Sequence, residues 1–130
     1  MRTLVCGSRD IKDDPFIFHA LDALNPWPTC VLSGMARGPD KIAAAWAKHR
    51  GVPLEPYPAD WARYGTYAGF RRNLEMLEKA ERVVAFWDGK SKGTEHTVKH
   101  ARLLGLPVLL YQPLSDAQLV VYSGRKGGPG

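Results

Sequence analysis

Four short polar segments carry the residue types that suit an anion-binding site. The first is Gly7-Ser8-Arg9-Asp10. Its glycine lets the backbone turn sharply or approach a ligand, and it adds a hydroxyl and a fork-shaped guanidinium. The second is Ser33-Gly34-Met35-Ala36-Arg37-Gly38-Pro39-Asp40. Two glycines and an arginine stand there directly before a helix that opens on proline. Unpaired amides at a helix N-terminus attract anions. The segment lacks the GK[ST] ending of a P-loop and does not follow GxGxxG. Asp40 is suited to cap that helix or to accept from a ribose hydroxyl.

The third segment runs from Tyr57-Pro58-Ala59-Asp60-Trp61 through Tyr64 to Ala68-Gly69-Phe70-Arg71-Arg72-Asn73. Trp61 and Tyr64 can stack on a base or close a pocket. Adjacent arginines on a helix point about 100° apart. At most one of the pair Arg71 and Arg72 therefore faces a site, and we assign Arg72. The fourth segment is Trp87-Asp88-Gly89-Lys90-Ser91-Lys92-Gly93-Thr94-Glu95. Thr94 reads as the N-cap of the next helix, or as a phosphate contact. Glu95 suits the helix dipole. The ligand-contacting set expected from these segments is Gly7, Ser8, Arg9, Asp10, Gly34, Arg37, Gly38, Asp40, Asp60, Trp61, Tyr64, Arg72, Asn73, Gly93 and Thr94. Arg72 and Glu95 are the candidates if the chemistry is catalytic. His96 and His100 stand four apart, a spacing that can share a metal. No third ligand accompanies them and HExxH is missing, so neither metal nor cofactor is expected.

Elements of one kind would bring these segments together. Short apolar runs alternate with helical patterns, the signature of βαβ units around a parallel sheet. Strands are predicted at Thr3–Cys6, Cys30–Ser33, Pro53–Tyr57, Arg82–Trp87 and Pro107–Tyr111, with a last weak one at Gln118–Tyr122. Helices are predicted at Pro15–Leu24 with Asp14 as N-cap, Pro39–Arg50, Thr66–Lys79 and Thr94–Leu104. Pro58–Gly65 reads as a long loop. Right-handed crossovers then give a single Rossmann-like three-layer αβα domain over residues 1–123, with a mostly parallel sheet of about five strands. Residues 124–130 read as a flexible Gly-rich tail. In such sheets ligands bind beyond the carboxyl ends of the strands, where the strand order reverses. Arg9, Arg37, Arg71, Arg72, Lys90 and Lys92 all fall in or beside loops at that edge.

The bulk properties fit this frame. A chain of 130 residues is one domain's worth, and 45% hydrophobic with 24% charged is globular. No apolar run is long enough to span a membrane, and the run at Met1–Gly7 is too short for a signal peptide. A cytoplasmic protein is expected. Cys6 falls near the end of one strand and Cys30 at the start of its neighbour, out of disulfide reach. The net charge of +5 favours an anionic partner. Because the cations cluster at one edge, we read a pocket and not an extended nucleic-acid track.

The segments quoted above, in this order and spacing over about residues 2 to 111, resemble the YspA/YpsA-related branch of the SLOG superfamily. The resemblance implies a Rossmann-like fold that binds nucleotides or nucleotide-derived ligands. The superfamily includes the DNA-uptake protein DprA and the LOG phosphoribohydrolases, which split the N-glycosidic bond of nucleoside monophosphates. It also implies a possible homo-oligomer. The LOG enzymes carry a PGGxGTxxE loop and an arginine on the preceding helix. Arg72 matches that arginine and Gly93-Thr94 the glycine-threonine pair. The catalytic glutamate falls on Thr97, and Glu95 stands two residues early.

Three functions follow as expectations. The first is a non-catalytic sensor or sequestering protein for a phosphate-bearing, nucleotide-derived small molecule. The alternative is a nucleotide N-glycosidase, in which Glu95, Asp60 or Asp10 would supply the carboxylate. The second alternative is single-stranded DNA binding in the manner of DprA.

Overall fold

The computed structural model describes the backbone of residues 1–115 and 118–123 and the side chains of residues 1–112. The expected tail at 124–130 lies outside the described residues. Strand β1 is Arg2–Gly7, followed by α1 at Asp14–Asp22, β2 at Cys30–Ser33 and α2 at Pro39–Arg50. Then come β3 at Leu54–Pro56, the short α3 at Trp61–Tyr64 and α4 at Ala68–Lys79. The chain continues through β4 at Arg82–Phe86, α5 at Lys92–Leu103, β5 at Val108–Ser115 and β6 at Gln118–Ser123.

The sheet order is β3-β2-β1-β4-β5-β6. The first five strands are parallel and β6 closes the edge antiparallel to β5. The fold is therefore the expected Rossmann-like α/β domain. The order reverses between β1 and β4, which puts the crevice beyond their carboxyl ends.

Both sheet faces are covered, which is why the central strands are continuous apolar runs. Val5, Val31, Val84 and Phe86 pack with Ile17 and Leu21 of α1 and with Ala43, Trp46 and Ala47 of α2. Leu4, Cys6, Leu32, Val83 and Ala85 pack with Met76 and Leu77 of α4 and with Val98 and Ala101 of α5. Cys6 and Cys30 are free and buried, on β1 and β2, where Cys30 pairs across from Arg2. At the opposite end of the sheet Arg82 Nε donates to the Thr3 hydroxyl at 2.9 Å and Nη2 to the Pro26 carbonyl at 2.8 Å. No helix among the described residues is long and apolar enough to cross a membrane.

Local details correct the sequence reading. The N-cap of α1 is Asp13, not Asp14: its carboxylate accepts from the Phe16 amide at 3.1 Å. Of two adjacent acids, the cap is the one three residues before a free amide, and Pro15 is tolerated in the first turn. Thr94 is likewise not a cap. Ser91 takes that place and accepts from the Thr94 amide at 3.3 Å. The stretch Pro58–Gly65 is not all loop. Asp60 caps α3 through the Arg63 amide at 3.1 Å, and a 3₁₀ turn at Gly65–Tyr67 leads into α4.

Candidate functional site

The loops after β1 and β2 are locked against each other. A Cβ on Gly7 would stand 2.5 Å from Pro39 Cγ and 2.6 Å from the Phe86 carbonyl oxygen. Gly7 is thus required by close packing against the start of α2. Ser8 is buried, and its hydroxyl accepts from the Asp88 amide at 2.9 Å. It braces the loop after β4 instead of facing the crevice. Gly38 has φ +87, and a Cβ there would meet the Arg9 backbone at 2.9 Å. The backbone of Arg9 is held this way while its side chain lines the crevice.

Ser33 organises the loop after β2. Its hydroxyl donates to the Asp40 carbonyl at 2.8 Å and accepts from the Met35 amide at 3.1 Å. Met35 holds φ at 62°, the left-handed region that a non-glycine residue enters at some cost. Asp40 does not cap α2, whose N-cap is Gly38. Its side chain is 6% exposed and accepts from the Ala36 amide at 3.4 Å. Burial pushes its carboxyl up to about 6, against the opposing pull of Arg72, the Ala36 and Gly7 amides, and Arg9.

Arg72 reaches across from α4. Its Nε donates to Asn73 Oδ1 at 2.9 Å, and its Nη1 donates to the Gly34 carbonyl at 2.6 Å and the Tyr57 carbonyl at 3.3 Å. Nη2 makes no hydrogen bond among the described residues. No described carboxylate forms an ion pair with this guanidinium. Burial, and the neighbouring Arg9, lower its pKa, which Asp40 partly opposes. A partly buried, unpaired cation is costly until an anion arrives. Arg71 behaves differently. It lies over the Tyr64 ring at 4.3 Å and 3.7 Å from Glu75.

The start of α5 supplies the opposite wall. Asp88 Oδ1 accepts from the Lys90 amide at 2.8 Å and the Ser91 amide at 2.9 Å, which fixes the turn. The hydroxyls of Ser91 and Thr94 stand 3.1 Å apart. The Gly93 carbonyl accepts from Thr97 Oγ1 at 3.1 Å and from Asn73 Nδ2 at 3.5 Å. Gly93 itself has no positive φ, and a Cβ there would meet nothing within 4 Å.

These walls enclose a cleft in three joined compartments, each lined by both Arg9 and Arg72. The first has a volume of about 200 Å³ and is lined by Asp40, Asn73, Ser91, Gly93, Thr94 and Thr97 among others. The second, about 340 Å³, runs past Gly34, Met35, Arg37, Pro58 and Trp61. The third, about 180 Å³, lies between Trp61, Phe70 and Gly93. Trp61 is 52% exposed and lines the second and third compartments, where its ring is available for stacking. Burial pushes the Cys6 thiol up, which leaves it a neutral wall group.

Most of the expected residues converge here, and several do not. Gly34 matters for what it omits: a Cβ would stand 2.5 Å from Arg72 Nη1. Arg37 reaches the rim of the second compartment and lies 3.7 Å from Asp10, which is itself exposed. Asp60 is spent on capping α3, and Tyr64 carries Arg71 and Arg63 on its ring. Glu95 faces a separate groove with Trp87, Val98 and Leu103, so the cleft does not contain it. The helical step from Thr94 carries it round the axis. Ser91, Thr97, Cys6 and Ala36 were not among the expected contacts but line the first compartment. A hydroxyl one helical turn after the Gly93-Thr94 pair was the available signal for Thr97.

Comparison with known proteins agrees with this architecture. Residues 1–64 match the model of the YspA, cpYpsA-related SLOG family. The chain is 39% identical over 117 residues to the Gene 61 protein of Mycobacterium phage D29, covering 83% of this chain and 94% of that protein. The X-ray structure of DNA processing protein A (DprA) from Streptococcus pneumoniae shares the fold, with a TM-score of 0.68 at 18% identity. That likeness covers 84% of this chain, which spans about half (49%) of the DprA chain. The chain belongs to the YspA, cpYpsA-related SLOG family.

Proposed function

We propose that this SLOG-family chain binds a phosphate-bearing, nucleotide-derived small molecule in the cleft beyond β1 and β4, and holds it without turning it over. It would act as a sensor or a sequestering protein. Family and fold support a nucleotide- or DNA-related role in general. The observation that carries the finer reading is Arg72. Its guanidinium is clamped by Nε and Nη1, and Nη2 is left for an anion. The opposite wall offers the Ser91 and Thr94 hydroxyls and the open approach at Gly93. Trp61 supplies the surface for a base.

Two features favour holding over hydrolysis. Thr97 occupies the place that a LOG-type enzyme gives its glutamate, and Glu95 lies in another groove. One observation favours the alternative, a nucleotide N-glycosidase: Asp40 is a buried acid in the first compartment with its pKa raised to about 6. The compact cleft supports a small molecule over single-stranded DNA, whose binding would fall steeply with salt.

Mass spectrometry of small molecules released from the denatured, purified protein tests the reading. We expect an intact nucleotide derivative, absent from Arg72→Ala protein prepared in parallel. Free base and sugar phosphate would establish turnover, and no released ligand from either protein would count against the pocket.

A further inference from the structure

The first compartment is not a plain anion site, because its floor is acidic. Asp40 is 6% exposed, lines the compartment, and receives the Ala36 amide at a long 3.4 Å. It forms no ion pair with any described cation. Arg72 is near: a Gly34 Cβ would stand 2.5 Å from Arg72 Nη1 and 2.9 Å from Asp40 Oδ2. Yet Nη1 is turned onto the Gly34 and Tyr57 carbonyls. Among the described residues it is approached by the Ala36 and Gly7 amides and by no side-chain donor, so the buried carboxylate remains costly, and it repels phosphate. It becomes favourable when a ligand brings a hydrogen-bond donor.

Size limits what that donor belongs to. About 200 Å³ falls below the range of whole-ligand pockets, roughly 300–1,000 Å³. It fits a sugar phosphate, with the aromatic remainder passing into the larger compartment beside Trp61. We infer that the site takes a phosphate ester of a polyhydroxy sugar, whose hydroxyl donates to Asp40 at the floor while its phosphate lies on Arg72 Nη2, Arg9 and the Ser91–Thr94 wall. This rests on the phosphate-binding reading above and assigns Asp40 the part of rejecting ligands that have phosphate but no hydroxyl donor.

Calorimetric titration with two probes tests it: ribose 5-phosphate, and tetrahydrofurfuryl phosphate, the same skeleton without hydroxyls. A hydrogen bond to a buried carboxylate predicts at least about tenfold tighter binding of ribose 5-phosphate to the unmodified protein. In Asp40→Asn the preference shrinks, and tetrahydrofurfuryl phosphate binds at least as well as before. Equal affinities in the unmodified protein, both lost in Arg72→Ala, would overturn the Asp40 assignment and leave the phosphate site standing. A preference unchanged in a folded Asp40→Asn protein would overturn it too. Failure of both probes to bind at millimolar concentration would overturn the phosphate reading itself, and the inference with it.

Discussion

Arg72 Nη1 donates to the Gly34 carbonyl at 2.6 Å, which clamps a side chain of α4 onto the loop after β2. The clamp fixes the guanidinium before any ligand arrives. Preorganisation of this kind lowers the cost of binding. It also needs the planar fork of arginine, because Nε and Nη1 are engaged while Nη2 stays open.

Arg72→Ala should therefore abolish ligand binding, and Arg72→Lys should fail to restore it. Arg71→Ala should leave affinity unchanged, since Arg71 rests on Tyr64 and Glu75. Titration of the three variants with the ligand released from the protein checks this. Equal losses at both arginines would mean a diffuse charge effect.

Gly93 separates binding from stability. A Cβ there meets no protein atom within 4 Å and needs no unusual φ. Gly93→Ala should keep or raise the stability, by up to about 1 kcal/mol of helix propensity. Gly93→Leu should fold normally and lose binding, because its side chain fills the first compartment. Thermal melts and titration of both variants read the two effects independently.

Gly7 predicts the reverse pattern. Gly7→Ala forces a Cβ into the Pro39 ring and the Phe86 carbonyl. We expect a loss of about 1–3 kcal/mol, typical of overpacking, measured by denaturant unfolding.

Asp40 predicts a pH signature. Its carboxyl is raised from 3.8 to about 6, so the folded state binds its proton more tightly than the unfolded state. That contribution is fully present below about pH 4 and is lost as pH rises through 6. Arg72 of α4, Arg9 of the loop after β1 and Cys6 of β1 are the charged or titratable groups facing it. Asp40→Asn should lie close to the unmodified protein at pH 4 and exceed it at pH 7, by on the order of 3 kcal/mol. Asp22 and Glu55, both held down to about 2, lose their contributions in acid equally in the two proteins, so the difference isolates Asp40.

How much of this was legible depended on whether local chemistry or distant packing decided the outcome. Strand Cys30–Ser33 and helix Pro39–Arg50 match their predicted bounds, because apolar runs and the Pro39 and Gly51 ends are local signals. Helix geometry gave only that at most one of Arg71 and Arg72 faces the site; it did not say which. Asp13 and Ser91 displaced the predicted caps because capping depends on which of several neighbouring oxygens reaches a free amide. Ser8 and Tyr64 look like ligand contacts in sequence. Their roles as brace and platform arise from Asp88 and Arg71, residues 80 and 7 positions away. Asp40 was legible as a site residue, but its burial comes from three loops meeting.

The most direct test of the central claim is phosphorus NMR of stoichiometric mixtures of the protein with nucleoside monophosphates, nucleoside diphosphates and cyclic dinucleotides, followed over a day. The account predicts that at least one phosphate resonance shifts and saturates, that Arg72→Ala abolishes the shift, and that the ligand's spectrum stays intact throughout. Absence of any shift across the panel, or steady conversion of a nucleotide into free base and sugar phosphate, would contradict it.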